Sequence, residues 1–210
     1  MNFFLVFLTA ELLNFSVYFG NIRVGSCYLK LDSVRFSGDS IASRATLVTR
    51  TEGLFSKIFP VYDSISSTFH SEEFYTIQYE RFISEGSYRA QSKAIYAGDT
   101  VFYSDGTKIP IGKKTLDPLS IIYFLRSKGT IDSLIYIDYH VDKKSARVAL
   151  KTEKLRVRDK DLVKVYVDLR DPNVSKTPGE TTYIFESGGK KRPLELHFKS
   201  SFGILKARLQ

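Results

Sequence analysis

The sequence predicts an all-β fold: an antiparallel curved sheet, or a partly open β-barrel, holding one short buried apolar helix. Three observations carry this. Hydrophobic residues alternate with period two through most of the chain, which puts one strand face on a core and the other in water. Turn residues punctuate the pattern about every 8–12 positions, as in barrels and sandwiches rather than βαβ units. Aromatic residues make up 14% of the chain as Phe and Tyr without Trp, and these rings favour half-buried pleated surfaces.

From the N-terminus, Met1 to Ala10 is apolar and uncharged. It is read as the remnant of a signal peptide, with cleavage after Ala10; the competing reading is an N-terminal strand. Strand alternation begins at Glu11. Phe15, Val17 and Phe19 oppose Asn14, Ser16 and Tyr18, and Cys27, Leu29 and Leu31 oppose Ser26, Tyr28 and Lys30. Gly53 to Phe59 breaks the pattern as a short helical or bulged link before Pro60. Later strands show in Val163, Val165 and Val167, and in Leu194, Leu196 and Phe198. Turns are predicted at Gly20-Asn21, Ser37-Gly38-Asp39, Glu85-Gly86, Gly98-Asp99, Asp105-Gly106, Asp171-Pro172-Asn173, Gly188-Gly189 and Phe202-Gly203. A longer hairpin loop is expected from Asp171 to Glu180. A helix is predicted from Asp117 to Arg126, with Asp117 as N-cap and Pro118 in its first turn. It is apolar from Leu119 to Leu125 and is therefore expected to lie against the concave face of the sheet. Residues 11–210 read as a single domain.

Several segments, taken in order, resemble a bacterial family of exported proteins known as domain of unknown function 3108. They are Glu11 to Gly25, which ends in Val24-Gly25; Phe59-Pro60-Val61-Tyr62-Asp63-Ser64; Asp117-Pro118-Leu119-Ser120 with Tyr123 and Arg126; and Arg192-Pro193 followed by Phe202 to Leu209. The resemblance implies an exported, mostly antiparallel β-protein of the periplasm or outer-membrane periphery. It implies no reaction and no ligand.

The chemistry-bearing residues assemble no catalytic constellation, and no cofactor or metal is expected, so a non-enzymatic protein is predicted. Asp138, His140 and Asp142 alternate along one strand and are read as its solvent face, with a metal or base site as the competing reading. Cys27 falls on an apolar strand face, as a small core residue does. Asp117 and Arg126 read either as helix caps or as a charged pair at a ligand mouth. With Tyr123 and Phe124 of the same helix they form the candidate ligand contacts. The net charge of +8 favours an anionic surface partner, with the stretch from Lys143 to Lys160 its best candidate. The aromatics follow strand periodicity rather than forming a base-stacking platform, so no nucleic acid is expected. Two functions follow: a module that binds or carries a lipid-like or other apolar ligand, or a structural or interaction module with a filled core.

Overall fold

The computed structural model describes residues 10–36, 40–128, 134–169, 179–200 and 203–210. The signal-peptide segment and the turns at Ser37-Gly38-Asp39 and Asp171-Pro172-Asn173 thus lie essentially outside the described residues. The first half of the chain forms β1 (Glu11–Phe19), β2 (Ile22–Phe36), β3 (Ser40–Thr51), helix α1 (Gly53–Ile58), β4 (Tyr62–His70), β5 (Thr76–Glu85), β6 (Tyr88–Ala97), β7 (Thr100–Tyr103) and β8 (Lys108–Pro110). Helix α2 (Ser120–Ser127) follows. The second half supplies β9 (Leu134–Val141), β10 (Lys144–Val157), β11 (Lys160–Leu169), β12 (Gly179–Glu186), β13 (Pro193–Ser200) and β14 (Gly203–Leu209).

All these strands form one antiparallel sheet in the order β8-β7-β6-β5-β4-β3-β2-β1-β14-β13-β12-β11-β10-β9. Two meanders therefore meet at its middle, where Phe15 pairs with Leu209 and Phe19 with Leu205. The alternation read from the sequence holds: Phe15, Leu29, Val165, Val167 and Leu196 are almost wholly buried on the concave face. Helix α2 fills that face, with Leu119, Ile121, Ile122, Tyr123 and Leu125 in one cluster with these strand residues. Each such aliphatic side chain contributes about 1.5–3 kcal/mol by leaving water.

The sheet is not closed strand to strand. It curls until its edges lap, and residues 112–117 bridge the seam. Thr76 N–H donates to the Thr115 carbonyl at 3.0 Å, Leu116 N–H to that of Asp138 at 2.9 Å, and His140 N–H to that of Leu116 at 2.9 Å. Side chains complete the seam: Arg81 pairs with Asp142, Lys143 with Asp105, and the Tyr103 hydroxyl meets His140 Nε2 at 2.7 Å.

One irregularity shapes the opposite part of the sheet. Val17 pairs with Gly25 and Tyr18 with Arg23, so Val24 is an extra residue in β2. Its carbonyl accepts the Glu52 N–H at 3.0 Å, which seats the entrance to α1. Gly25 is required beside this bulge, because a Cβ there would lie 2.1 Å from the Arg50 carbonyl oxygen.

Candidate functional site

The sequence-predicted ligand contacts lie on or beside α2, and the structure gives each a protein partner or a place in the core. Asp117 is fully buried. Its Oδ1 accepts Leu119 N–H at 2.7 Å and Ser120 N–H at 3.0 Å, and its Oδ2 accepts the hydroxyls of Thr76 at 2.7 Å and of Ser67. Burial raises its pKa, and these four hydrogen bonds oppose the rise. The helix begins at Ser120, later than predicted, yet Asp117 still performs the capping chemistry two residues ahead of the Leu119 N-cap. Arg126 makes two bonds to Glu11, at 2.5 and 2.9 Å, and lies 5.3 Å over the Tyr123 ring. Tyr123 stacks on Phe69 at 5.4 Å, with its hydroxyl buried and unpartnered. Phe124, expected inside, is only half-buried, with Lys128 Nζ 4.9 Å over its ring.

The reading of His140 as a solvent-face residue is corrected. It does lie opposite the core-facing Ile137 and Tyr139, but it is 1% exposed. The far edge of the sheet laps over it, bringing Tyr96 edge-on at 5.7 Å and Tyr103 into hydrogen bonding. Lys143 N–H donates to the Tyr103 hydroxyl at 3.0 Å, which leaves the phenol proton for His140 Nε2. The neutral ring then carries its proton on Nδ1, 2.6 Å from Ser145 Oγ. Burial depresses the imidazole pKa from 6.5 to about 4. Asp138 stays exposed and Asp142 pairs with Arg81. Among the described residues no group of His, Cys, Asp and Glu is placed to hold a metal. Cys27 is a core residue whose thiol pKa burial pushes up to about 12, too high for a nucleophile near neutrality.

The basic stretch lies largely on a projecting hairpin. From Lys151 to Lys164, across the β10–β11 turn, no residue is buried. Lys154, Arg156, Arg158 and Lys160 are interleaved with Glu153, Asp159 and Asp161.

Buried side chains of the strands and of α2 pack together on the concave face, while a cleft of about 450 Å³ opens on the convex face over β1–β4. Its walls include Asn14, Tyr28, Val48 and Tyr62, all on outward-facing strand positions. Val48 is nearly buried, whereas Tyr28 and Tyr62 are 37% and 49% exposed and present open ring surface. Phe82 extends this wall, edge-on to Tyr62 at 6.5 Å. At the end nearest α1 the lining is charged. Glu52 accepts Ser26 Oγ at 2.6 Å and Arg23 Nη2 at 3.1 Å, and lies 3.6 Å from Arg50 Nε. The Ser26 hydrogen bond and then the two guanidinium groups hold the Glu52 carboxyl below its ordinary pKa. Two cations against one carboxylate leave this end positive. Sequence reasoning missed these residues because an outward strand position over a cleft has the same periodicity as one facing bulk water.

Fold and site together define a barrel-like, single-sheet antiparallel β-protein with α2 packed on its concave face and a cleft on its convex face. The chain belongs to the family described as "Protein of unknown function (DUF3108)", whose profile matches residues 14–210. Among solved structures, one from Brucella abortus is similar in fold. It is described as the crystal structure of a beta-barrel-like protein of domain of unknown function DUF1849. It has a TM-score of 0.60 at 8% identity, over 97% of this chain and 96% of that one. No curated protein matches the chain by sequence.

Proposed function

We propose that this protein is a non-catalytic binding module of the bacterial cell envelope, and that its convex cleft holds a lipid-like amphiphile with an acidic head. The observation that carries this reading is the composition of the cleft. Half-exposed rings of Tyr28 and Tyr62 and the side chain of Val48 line one part, and Arg23 and Arg50 stand at one end. An apolar tail gains by covering the rings, and a phosphate or carboxylate gains charge-assisted hydrogen bonds from the guanidinium groups. An outer site is favoured over an inner one because Leu119, Ile121, Ile122, Tyr123 and Leu125 pack with the strand core on the concave face.

Calorimetric titration of dodecyl phosphate and of uncharged dodecanol tests this. Dodecyl phosphate should bind more tightly. Arg50→Gln should cost that ligand roughly tenfold in affinity while leaving dodecanol unaffected, the scale of one charged hydrogen bond. Tyr28→Ala should weaken both. Binding that neither substitution alters, or no binding at all, removes the ligand reading. The packing of α2 with the strand core would then favour the second reading, a structural or interaction module of the envelope.

A further inference from the structure

We propose that the end of the sheet carrying α1 docks onto an anionic phospholipid bilayer. Strand directions place the β1–β2 turn, α1, the β5–β6 turn and the start of β14 at one end of the molecule. Large apolar side chains at this end point into water: Phe19, Ile22, Leu54, Ile58, Tyr88 and Ile204 are 44–69% exposed. The most exposed pair, Leu54 and Ile58, sit four residues apart on α1 and so share one face. Helix α1 buries no residue at all. A core helix would not be built this way, whereas one that lies in a lipid interface would.

The rim is continuous in places across strand boundaries. The Phe59 ring abuts Gly86, and the Phe19 ring abuts Gly203. It is also charged in a complementary way. Arg23, Lys57 and Arg89 are exposed beside the apolar tips, on a chain with net charge +8. Cations flanking exposed Leu, Ile and Tyr match a layer of acidic head groups above acyl chains, with Tyr88 at the depth where amphipathic rings reside. Tips projecting from separate turns suit a deformable lipid surface better than the flat, packed face that a protein partner requires. Arg23 borders both the cleft and this rim, but Leu54 and Lys57 lie on α1 outside the cleft lining, so substitutions there test this inference apart from the cleft reading.

Flotation of the full chain with phosphatidylcholine vesicles, with and without phosphatidylglycerol, tests it. The wild type should float with the acidic vesicles, less so at high salt, and only weakly with phosphatidylcholine alone. Leu54→Asp should weaken partition by at least roughly tenfold, since it replaces inserted apolar area by a repelled charge. Its melting temperature should match the wild type, because α1 buries nothing. Lys57→Glu should weaken binding to acidic vesicles only. Tyr28→Ala, in the cleft, should leave flotation unchanged, so failure of the cleft reading and failure of this one are told apart. Flotation that survives Leu54→Asp, as it would if residues 1–9 carried it, overturns the proposal. So does a vesicle-free dimer in sedimentation that Leu54→Asp abolishes, which would assign the rim to a second copy.

Discussion

His140 is a buried imidazole held neutral between Tyr103 and Ser145, and its ionisation opposes the fold. Burial lowers its pKa to about 4, against 6.5 in the open chain. Between these values the unfolded state binds a proton that the native state refuses. Its contribution is therefore complete above about pH 6.5, shrinks as pH falls, and is gone below about pH 4, with a span of up to about 3 kcal/mol. Asp63 acts in the opposite sense. Burial lifts its carboxyl to about 6, so acid favours the native state there. The informative quantity is thus the difference between wild type and His140→Gln, whose amide does not titrate. Denaturant unfolding should show the wild type more stable above neutrality by about 1–2 kcal/mol, because a flexible amide with both polar atoms at its tip bridges Tyr103 and Ser145 less well than the rigid ring. That advantage should vanish or reverse near pH 4. A difference that does not change with pH would show that the imidazole ionises in the native state as it does in the unfolded chain. Nothing in the local pattern reveals this site. Ile137 and Tyr139 correctly mark the core face, but the cover on the other face comes from β6 and β7, some 40 residues earlier in the chain.

At the scale of elements, helix α2 was legible because it is apolar on nearly every side, and an element without a polar face has to be covered. Its capping chemistry was legible as well, since a buried carboxylate ahead of Ser120 is satisfied by helix N–H groups. Which side chain faces outward was not, because the side left bare depends on where Lys128 and the second meander lie. Leu125 is 1% exposed while Phe124 is only half-buried, although Phe124 is the larger. Leu125→Ala should accordingly cost about 2–5 kcal/mol, and Phe124→Ala about 1 kcal/mol, reversing the order that side-chain volume alone dictates. Chemical denaturation of both variants checks the order; equal losses would mean that α2 turns or shifts to bury both. The β2 bulge shows the same limit on what a sequence reveals. Val24-Gly25 stands out in the chain, yet the reason for the glycine, the Arg50 carbonyl against it, exists only after β3 has paired.

The whole molecule has one weak line. Every neighbouring pair of strands shares a hydrogen-bonded ladder, including β1 with β14 at the centre, but β8 and β9 do not pair. The sheet order could not be read from the turns, because hairpin signals dictate which consecutive strands pair and are silent on where two meanders join. The β6–β8 flap is also poor in core: β6 buries only Ala94 and β7 only Val101, and β8 is three residues long and buries nothing. The central strands, by contrast, contribute Phe15, Val17, Cys27, Leu29 and Leu31. Regions with few buried apolar contacts open first, at free energies below that of global unfolding. The flap should therefore lift as a unit, hinging near β5 and exposing His140. Asp142→Ala removes the partner of Arg81 across the seam and touches nothing at the centre of the sheet. Hydrogen exchange read by mass spectrometry should find peptides spanning residues 88–110 exchanging faster than those in β1, β2 and β14 in the wild type. In Asp142→Ala, exchange should quicken further in 88–110 and around His140, with the central strands unchanged. Uniform acceleration across all strands would show that the seam opens only when the whole sheet unfolds.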